Sequence, residues 1–275
     1  MTHARSTLRR ELFAKGHKPL VANIALDPLP GSRNAGGGGI EPIIEKALED
    51  ARLLADAGFD AVLLQNAGDG SLSRDGGPET IAYLTAIAGA IKQQVDCGLG
   101  INILAVGATP SLAVAEAVGA DFVRIKIYVG AVVTHHGVME GGSEEARVFR
   151  DRIGTSRVRI VADIHDRSTW PVGDVPIGEA ARAAIDPGRA DTLVITGRSP
   201  NESFERVREV RAAVPDAAVW CGGGATAENL PEFMDVYDGI IVAQSLKVGG
   251  DYAARFDSDR ARRFVDVARG QDSDA

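Results

Sequence analysis

Asp121-Phe122-Val123-Arg124-Ile125-Lys126-Ile127-Tyr128-Val129, running on to Thr134-His135-His136-Gly137, is the stretch on which the fold turns. Phe122, Val123, Ile125, Ile127, Tyr128 and Val129 are β-branched or aromatic, which predicts a strand. Side chains alternate along a strand, so Val123, Ile125 and Ile127 face one way while Phe122, Arg124 and Lys126 face the other. The first face can pack on helices. The second carries two cations, and burying an unpaired cation is very costly. Either this is an edge strand with a solvated face, or the face looks into a cavity that holds anionic partners.

The rest of the chain decides between these. Apolar periodicity and turn residues predict further strands over 20–26, 59–64, 99–104, 157–164, 191–195, 217–221 and 239–243. Helices are predicted over 41–57, 79–94, 111–118, 143–152, 176–186, 203–213, 226–235 and 258–269, with 128–142 as a loop. Strand and helix alternate eight times, the signature of parallel βα units. At 275 residues this favours one closed (β/α)8 TIM barrel over an open doubly wound sheet. No composition shift divides the chain, so 1–275 is expected to be a single domain. Residues 1–17 form a polar, basic extension and 270–275 a polar, flexible tail. A closed barrel has no edge. Arg124 and Lys126 are therefore expected to face a ligand inside it.

The net charge of −8 argues against nucleic acid or an anionic membrane surface as partner, but allows a small anion held in a local basic pocket. The two cysteines, Cys97 and Cys221, have no metal-ligand spacing and point to a reducing compartment. The start of the chain has no apolar core of the signal-peptide kind, and no run of about 18 apolar residues is found. A cytoplasmic protein without membrane insertion is expected.

Barrel active sites form at the C-terminal strand ends, and the polar residues gather there. Asn23, Asp27, Gln65, Asn66, Asn102, Thr196 and Arg198 are the expected substrate contacts. Lys126 is the expected catalytic centre, with Asp163 on the adjacent strand as its partner, His165 as auxiliary acid or base, and Arg124 holding Asp163 or orienting substrate. A carboxylate beside Lys126 keeps it protonated, suited to stabilising an enolate or oxyanion, whereas desolvation would free the amine for a Schiff base. A purely structural charge cluster is the competing reading. Gly222, Gly223 and Gly224, with Gln244 and Ser245 after the last strand, are the expected phosphate seat, because absent side chains let the backbone approach an anion. No metal or cofactor is expected: Asp163 and His165 would gain a third ligand from His135 or His136 only if that loop folded over. The glycines 36–39 read equally as a linker and as a close approach to ligand. Cys221 and Trp220 are read as core, Trp220 on the helix-facing side.

Several segments together resemble the BtpA/SgcQ family of TIM-barrel proteins, themselves similar to ribulose-phosphate-binding barrels. They lie between about 20 and 250, and include Asp27-Pro-Leu-Pro-Gly-Ser32, Gln65-Asn66-Ala-Gly-Asp69, Gly119-Ala-Asp-Phe-Val-Arg124, Ala162-Asp-Ile-His165, Thr196-Gly197, Glu228-Asn229 and Ser245-Leu-Lys247. The resemblance implies a cytoplasmic barrel, and one cyanobacterial branch is associated with photosystem I biogenesis. The chain departs from the family pattern at strand ends: Gln65 stands in place of Glu, Lys126 in place of Asn, Arg167-Ser168 in place of Lys-His, Gln244-Ser245 in place of Gly-Thr, and the Arg and Asp after the third strand are missing. A divergent substrate or a lost activity would each produce this. Two functions follow as expectations. One is an enzyme of lyase, isomerase or glycosyl-transfer type acting on a phosphorylated sugar or related small anionic metabolite. The other is a non-catalytic biogenesis or assembly factor that keeps the barrel. A homo-oligomer is expected in either case.

Overall fold

The computed structural model describes residues 12–70 and 73–270. In chain order its strands are β1 (Leu20–Ala25), β2 (Ala61–Gln65), β3 (Gly98–Asn102), β4 (Phe122–Ile125), β5 (Ala131–Thr134), β6 (Gly137–Glu140), β7 (Arg159–Asp163), β8 (Trp170–Pro171), β9 (Thr192–Ile195), β10 (Val219–Cys221) and β11 (Gly239–Val242). Eight of them close a parallel barrel in the order β1-β2-β3-β4-β7-β9-β10-β11 and back to β1. The helices among the described residues are α1 (Glu41–Asp56), α2 (Pro78–Gln94), α3 (Ala108–Val118), α4 (Ser143–Arg152), α5 (Ile177–Ile185), α6 (Pro200–Ala213), α7 (Leu230–Val236) and α8 (Ser258–Ala268). None is long and apolar enough to cross a membrane.

Local chemistry sets these elements. In α1, Ile43, Ala47, Leu48, Ala51 and Leu54 are buried at helical spacing, and a proline occupies the first turn, where no N–H is needed. α2 likewise opens on Pro78. Helix α8 is capped by Asp257, whose carboxylate accepts from the amides of Asp259 and Arg260. α3 begins three residues earlier than the sequence predicts because Pro110 fits inside its first turn. α7 begins later, at Leu230. The preceding Thr226–Asn229 segment is a turn in which Asn229 Oδ1 accepts from the Thr226 amide at 2.7 Å.

Alternation divides the apolar residues into two layers. Val123, Ile125 and Ile127 pack outward among the helices, as predicted, while Phe122 packs inward. The inner layer holds Val21, Leu63, Phe122, Val161 and Trp220, closed from below by Leu12. Phe13 stacks on the Trp220 indole at 5.3 Å. Residues 1–11 of the expected N-terminal extension and 271–275 of the expected tail lie outside the described residues.

Two expectations are corrected here. Trp220 faces the barrel interior, not the helices: the adjacent strand offers Gly239, where a Cβ would lie 2.7 Å from the indole Nε1, so the ring fills space that glycine leaves. The segment 128–142 is not a plain loop. β5 and β6 form an antiparallel hairpin turning at His135-His136, and β8 adds to it in the order β6-β5-β8.

Candidate active site

The apolar floor closes the lower barrel, so polar side chains collect at the C-terminal strand ends. They line a cavity of about 720 Å³ whose walls include Asn23, Gln65, Arg124, Lys126, Thr196, Gly222, Gly223, Gly224, Gln244 and Ser245. Most of the residues singled out from the sequence therefore meet in one place.

Arg124 and Asp163 form its deepest charged feature. Arg124 donates from Nε and Nη2 to the two Asp163 oxygens at 2.8 and 2.7 Å, and both residues are buried. Such a bidentate pair holds both groups in fixed orientation. Desolvation works against the Arg124 charge, but Asp163 outweighs it and the guanidinium stays charged. Burial pushes the Asp163 carboxyl up, with Arg124 pulling the other way. Gly222 makes room for this pair: a Cβ there would lie 2.9 Å from Arg124 Nη2 and 2.5 Å from Thr196 Oγ1. Thr196 Oγ1 instead accepts from the Gly222 amide at 2.9 Å.

Lys126 does not take Asp163 as its partner. Its Nζ lies 3.0 Å from Asp166 Oδ2, because Arg124 already occupies both Asp163 oxygens. Burial pushes the Asp166 carboxyl up, but Lys126, the hydroxyl and amide of Ser168, and Arg124 together hold it well below the usual carboxylate range. Lys126 itself lies just past the end of β4 and is only partly covered.

His165 also departs from expectation. It adopts φ 50°, which breaks the strand alternation beyond Asp163 and takes the ring off the cavity wall. Its carbonyl accepts from Arg206 at 2.9 Å. Burial and the Arg206 charge push the imidazole below its ordinary value. Asp27 pairs with Lys46 at 2.5 Å on the helical side. Asn66 is a structural residue: it accepts from the Leu104 amide at 2.8 Å and donates to Asp69 at 2.9 Å. Arg198 is exposed outside the cavity, where its amide donates to Glu202. Asn102 is fully buried beside Gln65 in the β2–β3 register.

At the glycine turn, the Gly223 amide faces Cys221 Sγ at 3.4 Å. The Gly224 and Ala225 amides meet no protein acceptor among the described residues. Ser245 Oγ donates to the Ala225 carbonyl at 2.8 Å, tying the β11 loop to this turn. Gln244 Nε2 donates to Gly250. Among the described residues, no group of three or more His, Cys, Asp or Glu side chains is placed to hold a metal ion. The Cys97 and Cys221 thiols are both buried and unbridged, and burial pushes each up to about 11.

Sequence reasoning missed Asp166 and Arg167. The signal was present in Asp166-Arg167-Ser168, an Asp followed two residues later by Ser, the pattern of a turn in which the carboxylate accepts from the chain ahead. Also missed were Arg260 and Arg263 of α8, which reach the cavity from a helix face and carry no strand-end signal.

Eight parallel strands, an outer ring of helices and a polar mouth at the C-terminal strand ends define a TIM barrel. The sequence profile of the BtpA family matches residues 16–270, and the chain belongs to that family. Among its relatives is an uncharacterized protein of Thermococcus kodakarensis, 33% identical over 253 residues, covering 92% of this chain and 95% of the relative. The photosystem I biogenesis protein BtpA of Synechocystis is 30% identical over 257 residues, covering 91% and 88%. Among solved structures, N-(5'-phosphoribosyl)anthranilate isomerase from Pyrococcus furiosus superposes with a TM-score of 0.56 at 13% identity, covering 92% of this chain and 100% of that one. At that identity the likeness concerns the fold alone.

Proposed function

We propose that the protein is an enzyme of lyase or isomerase type acting on a small phosphorylated sugar or related anionic metabolite. One observation carries this reading. The Lys126–Asp166 pair, 3.0 Å apart, stands in the same cavity as the glycine turn at Gly222–Gly224, with the Arg124–Asp163 pair fixed behind it. The phosphate would sit on the Gly224, Ala225 and Ser245 backbone, beside the loops after β10 and β11 where barrels of this kind commonly bind phosphate. Lys126, ion-paired with Asp166, would then stabilise the negative charge that develops when a proton or a carbon–carbon bond next to a carbonyl is lost. Asp166 holds the Lys126 ammonium in place as its ion-pair partner. That a solved neighbour is named for a phosphoribosyl substrate agrees with this reading at the level of fold.

The test is turnover. Phosphorylated aldoses, ketoses and keto acids are screened, and Lys126→Met is compared with the wild type on the first that reacts. The account expects turnover to vanish while phosphate affinity is kept; normal turnover in the variant defeats it. Borohydride added during turnover should leave no mass on Lys126, and a trapped adduct would replace the charged lysine with a Schiff base.

A second reading, a biogenesis or assembly factor working through its surface, is favoured by the small antiparallel sheet. Val138, Val133 and Trp170 lie directly across from one another there and are 67%, 42% and 57% exposed. Under that reading, Lys126→Met would leave the biological role intact. A cytoplasmic setting and a homo-oligomer fit either reading; the two buried, unbridged thiols support the first, and light scattering would test the second.

A further inference from the structure

The cavity is electrically divided. Of its five cationic side chains, Arg124 is matched by Asp163, Lys126 by Asp166, and Arg263 by Glu228 at 3.3 Å. Arg167 and Arg260 make no ion pair among the described residues, and both stand on the β10–β11 side. Arg167 Nη2 is 3.4 Å from where a Cβ on Gly223 would lie, and Arg260 Nη1 donates to the Ser245 carbonyl at 3.3 Å. The surplus positive charge is thus confined to the rim of the proposed phosphate seat.

The β1–β3 side is neutral: Asn23 and Gln65 line the cavity there, and Asn102 lies fully buried behind them. The inward residues at the top of β1, β2 and β3 are three amides, Asn23, Gln65 and Asn102. Asn23 Nδ2 donates to Gln65 Oε1 at 2.8 Å, which leaves Asn23 Oδ1 buried and without a partner. Asn102 pairs with Gln65 in register, is fully buried, and has no partner for either Oδ1 or Nδ2. Its direction follows from β3, where the inward position below it, Gly100, abuts Phe122 and Leu63 of the barrel interior. Native interiors rarely leave amide atoms unpaired, and three in one cluster call for an outside partner. An amide offers donors and acceptors together, as a hydroxyl does, and carries no charge to offset a carboxylate or a second phosphate.

We infer that the Asn23 and Gln65 amides, backed by the buried Asn102, bind the uncharged, hydroxylated end of the substrate, so that the molecule taken is a monophosphate with a neutral polyol end, not a bisphosphate or a phosphorylated carboxylate. This rests on the phosphate seat proposed above. With the phosphate at the β10–β11 rim and the hydroxyls on the β1–β3 side, the rest of the molecule lies in the cavity that Lys126 also lines.

Titration calorimetry of the full chain tests it, with inorganic phosphate, ribose 5-phosphate, ribulose 5-phosphate, ribulose 1,5-bisphosphate and 3-phosphoglycerate as probes. At least one of the two pentose monophosphates should bind about tenfold or more tightly than inorganic phosphate, and more tightly than the bisphosphate and the phosphoglycerate. Asn23→Ala, Gln65→Leu and Asn102→Leu should each remove most of that advantage without changing the affinity for inorganic phosphate. Asn102→Leu keeps side-chain volume, so it guards against a variant that merely fails to fold. Tighter binding of the bisphosphate or phosphoglycerate, or unaltered pentose-phosphate affinity in the folded amide variants, overturns the inference and leaves the phosphate seat standing. Failure of every probe, inorganic phosphate included, removes the seat and the inference with it.

Discussion

Replacing Asp163 by alanine would strand Arg124 inside the barrel. Arg124 is 5% exposed, and among the described residues Asp163 is the carboxylate it is bonded to. Breaking a buried pair by removing one partner costs about 3–5 kcal/mol, most of it the price of the uncompensated charge. Asp166, whose field reaches Arg124, offsets part of this, which places the expectation nearer the lower end, at about 3 kcal/mol. For a domain of this size that lowers Tm by roughly 6–12 °C. Urea unfolding followed by far-UV circular dichroism measures it. The double variant Arg124→Met with Asp163→Leu removes both charges, and should recover stability to within about 1–2 kcal/mol of the wild type. A loss below about 1 kcal/mol for Asp163→Ala, or a double variant no better than the single one, would refute the reasoning.

Gly222→Ala introduces a Cβ 2.5 Å from Thr196 Oγ1 and 2.6 Å from Val194 Cγ1, so it should destabilise by about 1–3 kcal/mol and disturb the orientation of Arg124. A crystal structure of the variant with β10 and Arg124 unmoved would contradict this. Asp166 titrates below its unfolded value, so its pair with Lys126 contributes stability that is present above about pH 4 and lost as the pH falls through the folded-state value. Asp166→Asn should therefore be less stable than the wild type at pH 7, with the gap closing on acidification; a gap that is constant from pH 7 to pH 2 excludes the pair as its source.

The barrel was legible because eight apolar strands and their turn residues repeat at regular spacing, and because β4 alternates apolar and cationic side chains in a closed sheet that offers no edge. The same alternation turns Asn23, Gln65, Lys126, Thr196 and Gly222 into one cavity. It stopped being informative where the backbone leaves the strand. Past Asp163 the positive φ at His165 reverses the direction of the next side chains, so Asp166 and not His165 reaches Lys126. The hairpin at 131–140 carries a weak strand signal because its strands are four residues each and have polar and glycine residues at the turn. The side of Trp220 is hidden from the sequence for a different reason: whether a large ring faces in or out depends on Gly239 of the neighbouring strand, a pairing that only the barrel register supplies.

The central claim is that this mouth seats a phosphate and presents the rest of the molecule to Lys126. Its most direct measurement is a crystal structure of the protein soaked in ribose 5-phosphate, with inorganic phosphate as the control soak. The account predicts the phosphate within hydrogen-bond distance of the Gly224 and Ser245 amides and the Arg167 guanidinium, with the sugar running across the cavity past Lys126. A phosphate bound elsewhere on the barrel at high ligand concentration, with the loops after β10 and β11 empty, would contradict it.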